Sequence, residues 1–478
     1  MSSETSNRVD WQALRASGDL ARFCFINLGI LLYATNETMV ATVMPAMVGE
    51  LDGVQLVGWS LAIYELGAIV AGAAAGRLVS YVPLRTNMVI AALLYATGAL
   101  VSAIAPSMPQ FLAGRLIEGL GGGALVSLAF VSVERLFPRN IWPQLFGILS
   151  AIWGIAAFSG PMIGAIMTEL LSWRWAVGIF TLGGIALALA SLIVLNTPEA
   201  TRLQAAGGTA PPFPYVALGC LAVSVVLIAM AGVDIALLRS SLLLGFGLIG
   251  LALFFRVDGL KPQSRLFPAR LFSWRSPVGS GMTMVAAFSV ATISFGVYGP
   301  LLLTSLHDIP ILTTGYIIAA ESISWSILSI LVANAPQERE RPIIVVGALM
   351  IACGIAGFAY TIPAGSIPLI LLCALLQGGG FGVAWPFLTR VIVASARDDE
   401  QTIASAAVPT MQRIGYAVGA AVAGIIANAS GFSEGLNREA AASVASWLFL
   451  AFVPLGIVGC VAALRIAVPE TPLEKTAA

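Results

Sequence analysis

The sequence predicts an all-α polytopic membrane protein, on three observations. Of its 478 residues, 58% are hydrophobic and 10% charged, with a mean hydropathy of +0.93, whereas soluble domains carry about 25% charged residues. The apolar residues form long continuous runs, suited to helices of about 20 residues crossing a bilayer, rather than the alternating runs of about ten residues found in barrel strands. The basic residues gather in alternate connecting segments, as the positive-inside tendency requires.

In chain order, fourteen spans are predicted: roughly 22–46, 56–80, 87–105, 109–134, 142–168, 174–195, 214–233, 241–257, 277–304, 311–333, 342–361, 367–390, 403–427 and 441–465. The eighth is the shortest. Of the 24 Lys and Arg, only Arg174, Arg239 and Arg438 fall at or in loops opposite the termini, and only Arg115 and Arg413 lie well inside spans rather than at their ends. All the others, including Arg8, Arg202, the group from Arg256 to Arg275 and Lys475, fall on the side of the termini. Both termini are therefore expected in the cytoplasm, the first span serving as an uncleaved anchor in an inner (cytoplasmic) membrane. The basic group between 256 and 275 is placed to meet anionic lipid headgroups. Trp142, Trp173 and Trp175 are expected as interfacial anchors.

Zero net charge offers nothing to nucleic acid. The five cysteines lie in apolar runs without metal-like or paired spacing, so unpaired thiols are expected. His307 is alone and falls in a short loop, where it is expected to be solvated. No catalytic constellation, metal set or cofactor motif is present, and no Gly-Lys-Ser/Thr loop offers ATP as an energy source. These absences point away from an enzyme.

The chain repeats itself. PQFLAGRLIEGLGGGALVS from Pro109 and PLILLCALLQGGGFGVAWP from Pro368 place Glu118 and Gln377 nine residues after their prolines, each before a Gly-rich stretch. The same offset of 259 relates Gly160 to Gly419. Two copies of a six-helix unit are expected, 22–197 and 277–467. They are flanked by segments 1–21 and 468–478 and separated by 198–276, which carries two inserted helices and the basic loop. Paired halves with Gly-interrupted helices are a common transporter architecture, with the binding site at the midplane between them.

Four stretches resemble the major facilitator superfamily, in its fourteen-helix drug:proton antiporter branch. NETMVATVMP resembles the first-helix signature and GRLIEGLGGG the fourth-helix motif. GIAAFSGPMIGA, with Gly154, Gly160, Pro161 and Gly164, is similar to the fifth-helix antiporter motif, and MQRIGYAVGAA to that of helix 13. The resemblance implies two six-helix bundles with two extra helices between them. It further implies proton-coupled efflux of drug-like or amphipathic molecules by alternating access. Departures stand beside it. The family usually has Asp where this chain has Asn36, its acid following at Glu37. The fourth-helix Gln is Glu118. The loop 76–87, which normally helps latch the cytoplasmic gate, holds Ser80 and Pro83 in place of Asp and Gly.

At about 1.5 Å per residue, Glu37, Glu65, Glu118 and Glu321 all lie about 13–16 Å into their helices. Acids at mid-membrane cost at least a few kcal/mol unless they meet water, a partner or a proton. Arg115 and Glu118, spaced i, i+3, can pair on one helix face, either as a stable internal bridge or as a proton-responsive pair. Glu37 is the expected principal proton carrier, coupled to Arg115 and Glu118, with Glu65 and Glu321 as further candidates. Arg413 is expected as a structural charge. By analogy with the family, Asn36, Phe295, Tyr298, Gln377, Phe381 and Trp385 are candidate substrate contacts, and aromatic walls suit flat, apolar or cationic molecules. The expected partners are a small-molecule substrate, protons and lipid. A monomer is expected, and a periplasmic adaptor is possible but not indicated. The alternatives are an uptake or facilitated-diffusion carrier for a polar solute, or a sensor on the same fold that transports nothing.

Overall fold

The computed structural model describes residues 11–51, 56–201, 212–233, 235–431 and 438–466. Arg8, Arg202 and Lys475, used in the topology argument, lie outside them, as do the tail 468–478 and residues 1–10 of the N-terminal segment. Fourteen helices are long and apolar enough to cross a membrane. They are α1 (Asp19–Leu51), α2 (Val57–Leu78), α3 (Leu84–Ala103), α4 (Met108–Leu136), α5 (Trp142–Leu170), α6 (Trp173–Val194), α7 (Tyr215–Gly232), α8 (Leu237–Leu260), α9 (Pro277–His307), α10 (Ile311–Val332), α11 (Glu340–Ala364), α12 (Ile367–Ser395), α13 (Gln401–Ala429) and α14 (Arg438–Leu464).

Local chemistry sets many of their ends. Proline occupies the first turn of α4, α5, α9 and α12, where its missing N–H costs nothing. The Ser276 hydroxyl accepts from Gly279 N at the start of α9, satisfying one of the free donors there. Helix α11 stops at Gly365, whose φ of +74° suits glycine.

Two apolar cores result, one within α1–α6 and one within α9–α14 that also takes in parts of α7 and α8. The inserted helices pack on each other and against α2 and α13, so they flank the seam between the bundles. The internal repeat is visible in the packing. Gly98 leaves room for the backbone of Glu118, and Gly354 does the same for Gln377. The glycines of α5 face two ways: Gly160 and Gly164 receive α1 at Thr38 and Met39, whereas Gly154 receives Ser326 of α10 in the other bundle.

The bundles close on each other at the end where α1 begins. Glu134 accepts from Thr402 Oγ1 at 3.0 Å, and Arg139 donates to Gln401 at 2.8 Å. Ser329 donates to Gly147 O at 3.1 Å, and Gly76 of α2 lies against Thr402 and Ala406 of α13. Closing contacts thus come from the ends of α4 and α13, from Arg139, from α5 against α10, and from Gly76, rather than from Ser80 or Pro83.

Several surface expectations need correction. Trp142 and Trp173 are almost wholly buried because their indole N–H groups are spent inward, on Phe137 O and Glu50; Trp175 alone of the three is exposed. His307 is not a solvated loop residue. It ends α9, half-buried, with Nε2 2.6 Å from Ile362 O.

At the other end, beyond the apolar span, Glu50 ties three helices. It accepts from Trp173 Nε1 at 2.6 Å and Arg174 Nη2 at 2.8 Å, while Arg174 Nη1 donates to Ala103 O and Ala105 O. The Arg174 guanidinium, with the Trp173 N–H, holds the Glu50 carboxyl below the usual carboxylate range. A depressed folded pKa contributes stability above the unfolded value, lost as pH falls through the folded one. Glu50→Gln is therefore expected to lower Tm at neutral pH, the difference from wild type closing below about pH 4. A thermal-unfolding series over pH checks this, and a pH-independent difference would contradict it.

Candidate functional site

Two charged clusters lie at mid-membrane, and a one-residue step in α1 assigns its side chains to them. Successive residues turn by about 100° around a helix. Asn36 consequently faces α4, whereas Glu37 faces α13.

The first cluster is dry. Arg115 Nη1 donates to Glu118 Oε2 at 2.6 Å and to Asn36 Oδ1 at 2.7 Å, and Asn36 Nδ2 donates to Glu118 Oε1 at 2.8 Å. All three side chains are fully buried. The two departures noted in the sequence compensate each other: Asn36 is neutral, and Glu118 supplies the carboxylate beside Arg115. Asn36 is thus no wall of an open path, because both ends of its amide are committed to this triad.

The second cluster is partly exposed and spans the two bundles. Arg413 of α13 donates through Nη2 to Glu37 Oε2 at 3.0 Å and through Nη1 to Glu65 Oε1. Side-chain exposures of 11% for Arg413, 22% for Glu37 and 18% for Glu65 leave each partly open. The second oxygen of Glu65, Oε2, has no hydrogen-bond partner among the described residues. Arg413 is the shared cation of this cluster, a role that its expectation as a structural charge did not include. Glu37 is bonded to Arg413 rather than to the Arg115–Glu118 pair.

An aromatic stack joins the clusters. Arg115 lies 3.8 Å over the Tyr64 ring, Tyr64 stacks on Tyr33 at 5.2 Å, and Arg413 lies 4.7 Å over Tyr33 and 4.9 Å over Trp153. A guanidinium over an aromatic face is attracted by the ring quadrupole. Tyr33, Tyr64 and Trp153 went unnoticed in the sequence, although Tyr33 precedes Glu37 by one helical turn and Tyr64 adjoins Glu65.

A cavity of about 260 Å3 lies beside this second cluster. Glu37, Glu65 and Arg413 form its polar base, with Tyr298 of α9 and Tyr416 of α13 on its walls. It extends toward the start of α2 at Gly58, away from the closed end, where Leu61 and Val297 on its rim are about half-exposed.

The remaining candidates divide. Tyr298 lines this cavity; Phe295 does not, because it is fully buried and stacked on Phe358 at 4.0 Å between α9 and α11. Glu321 accepts from Gln377 Nε2 at 2.8 Å within the second bundle, apart from Arg413. One turn on, Trp325 stacks on Phe381 at 4.6 Å, with Trp385 edge-on to both. These residues form their own aromatic patch, and the four acids do not share one chamber. Gly154, Gly160, Pro161 and Gly164 act in helix packing. Among the described residues no group of His, Cys, Asp and Glu could hold a metal ion.

A family profile described as Major Facilitator Superfamily matches residues 26–363 and 284–478. The chain belongs to this superfamily. It is 28% identical over 456 residues to a protein described as a probable multidrug-efflux transporter of Mycobacterium tuberculosis, covering 91% of this chain and 92% of that relative. It is 24% identical over 416 residues to the multidrug transporter protein MdtP of Bacillus subtilis, covering 84% of this chain and 74% of that relative. Among solved structures, the proton:xylose symporter XylE aligns with a TM-score of 0.63 at 15% identity, over 94% of this chain and 95% of its own. The human organic anion transporter MFSD10 aligns with a TM-score of 0.61 at 18% identity, over 91% and 98%. At such identities these structures speak for the fold, and this major facilitator protein is a transporter rather than an enzyme.

Breaking a buried ion pair by removing one partner costs about 3–5 kcal/mol, because the other charge is stranded. Arg115→Met is expected to destabilise by that order, and Arg115→Met combined with Glu118→Met to recover much of it. Thermal unfolding of both variants checks the prediction. A single variant as stable as wild type would contradict it.

Proposed function

We propose that the protein exports drug-like or amphipathic small molecules across a cytoplasmic membrane in exchange for protons, with both termini in the cytoplasm. The supporting observation is Arg413 of one bundle, paired with Glu37 and Glu65 of the other at the base of a cavity. An arginine with two carboxylates is a competition that a proton can tip: protonating either acid weakens its hold on Arg413. The cross-bundle position turns that local event into a change in how firmly the halves are joined.

In this cycle the closed end, where α1 begins, is cytoplasmic, and the cavity faces the periplasm. Protons enter from the periplasm and neutralise the carboxylates, with Glu37 as principal carrier and Glu65 beside it. Arg413 loosens and the bundles rock to open inward. Substrate arriving from the cytoplasm then promotes proton release, and the ion pairs re-form as the protein reopens outward. The driving force is adequate, since one charge crossing about 100 mV contributes about 2.3 kcal/mol before any pH gradient. The relatives described as multidrug transporters support export as the direction.

Purified protein in vesicles with an entrapped pH dye tests the reading. Adding a transported substrate should release protons from wild type, and Glu37→Gln should abolish the release even at substrate concentrations that saturate the variant. Unchanged proton-driven efflux in Glu37→Gln would remove it as carrier. Efflux from wild type without any proton release would remove antiport.

A further inference from the structure

The cavity beside Arg413 has a wall that the repeated bundles do not supply. Val225, Ile228, Ala229 and Gly232 of α7 line it, at the i, i+3, i+4, i+7 spacing that marks a single helix face. The facing wall on α2 has the same spacing, from Gly58 through Leu61 and Ala62 to Glu65. On α13 the series runs from Arg413 through Tyr416 and Ala417 to Ala420. Polarity is graded along these walls. On α2 and α13 the charged residue stands at the deep end and small or apolar residues follow outward, whereas the contribution of α7 is apolar throughout.

We propose that α7 is the specificity-determining wall of the substrate site, taking the apolar tail of an amphiphile whose polar head lies against Glu37, Glu65 and Arg413. This deepens the transport reading and rests on it. Three features of α7 carry it. Its lining face is contiguous with the seam: Ile228 and Ala231 form one apolar cluster with Ala421 of α13, so the wall is packed in place. Its outer lining residue is small: a Cβ added to Gly232 would make only ordinary contact, with Ala421 at 3.7 Å. Its opposite side turns outward, with Val223 61% exposed, so the helix is a partition between the cavity and the surrounding lipid. The head is held by charge: two carboxylates and one guanidinium sum to one negative charge when both acids are ionised, which suits a monocation. In this arrangement α7 sets the length and girth of the tail accepted, and the repeated bundles handle the head.

Binding of hexyl-, octyl- and decyltrimethylammonium to the protein in lipid nanodiscs, corrected for partition into empty nanodiscs, tests this. In wild type, affinity should rise along the series. Ala229→Trp fills the tail region, so decyl binding should weaken about tenfold while hexyl binding changes less than about twofold, the loss of roughly two buried methylenes. Val225→Ala enlarges the same wall and should shift the preference toward the longer chain, a check that stands if the bulky variant folds poorly. Val223→Trp, on the lipid side of α7, should bind all three as wild type does. The same chain-length dependence in wild type, Ala229→Trp and Val225→Ala would overturn the assignment of α7, and so would a wild type that binds none of the series. Length-dependent binding that shifts as expected, in a protein that releases no protons on substrate addition, would uphold the wall and refute antiport instead.

Discussion

Arg413 reaches from the second bundle into the first, and the groups that receive it there are Glu37 and Glu65. A guanidinium at mid-membrane cannot be left alone, since an unpaired charge there costs several kcal/mol, and neither can two carboxylates. Each bundle therefore carries charges that only the other can satisfy. The seam that brings them together is permitted by small residues, Gly72 and Gly76 on α2 facing Thr410 and Ala406 on α13. The cavity, the aromatic stack and the closed end are all arranged around that contact.

The two charged clusters differ in the property that matters for a switch. The Arg115–Glu118–Asn36 triad is fully buried and its three side chains bond to one another, although Nε and Nη2 of Arg115 have no hydrogen-bond partner among the described residues, so opening it strands a charge in a low-dielectric interior. The Arg413 cluster is partly exposed, shares one cation between two acids and leaves Oε2 of Glu65 without a hydrogen-bond partner among the described residues. Stability belongs to the first and adjustability to the second. The Tyr33–Tyr64 pair lies between them, with Arg115 over Tyr64 and Arg413 over Tyr33. Glu321 and Gln377 occupy the equivalent level of the second bundle, where no arginine is paired with them and aromatic surface dominates.

Much of the architecture was legible because lipid imposes a simple rule on the backbone: every N–H and C=O must be satisfied within its own helix. Long apolar runs thus had to be helices, and the predicted spans agree with the observed ones to within a few residues. The exceptions are instructive. Helix α8 runs further than its apolar run because Arg256 and Asp258 belong to its last turns. Helix α1 extends to Leu51 because Glu50 is held there by Arg174. Rise per residue grouped the four acids, and of these Glu37 and Glu65 meet on Arg413. What the sequence could not supply was azimuth between distant helices. Glu37 and Arg413 are separated by 376 residues, and the spacing of α13 alone does not say which helix its arginine meets. The same ignorance misplaced Asn36 and Phe295, whose helices lie near the path while their side chains turn into the packing.

The most direct test of Arg413 as the switch is a distance across the end opposite α1's start, between spin labels at Leu171 and Tyr316, both strongly exposed, measured at neutral and at acid pH. If protonation of the carboxylates frees Arg413 and lets the bundles rock, the distance shortens on acidification in wild type and stays constant in Arg413→Met. A wild-type distance that does not respond to pH, or an equal response in Arg413→Met, would contradict the account.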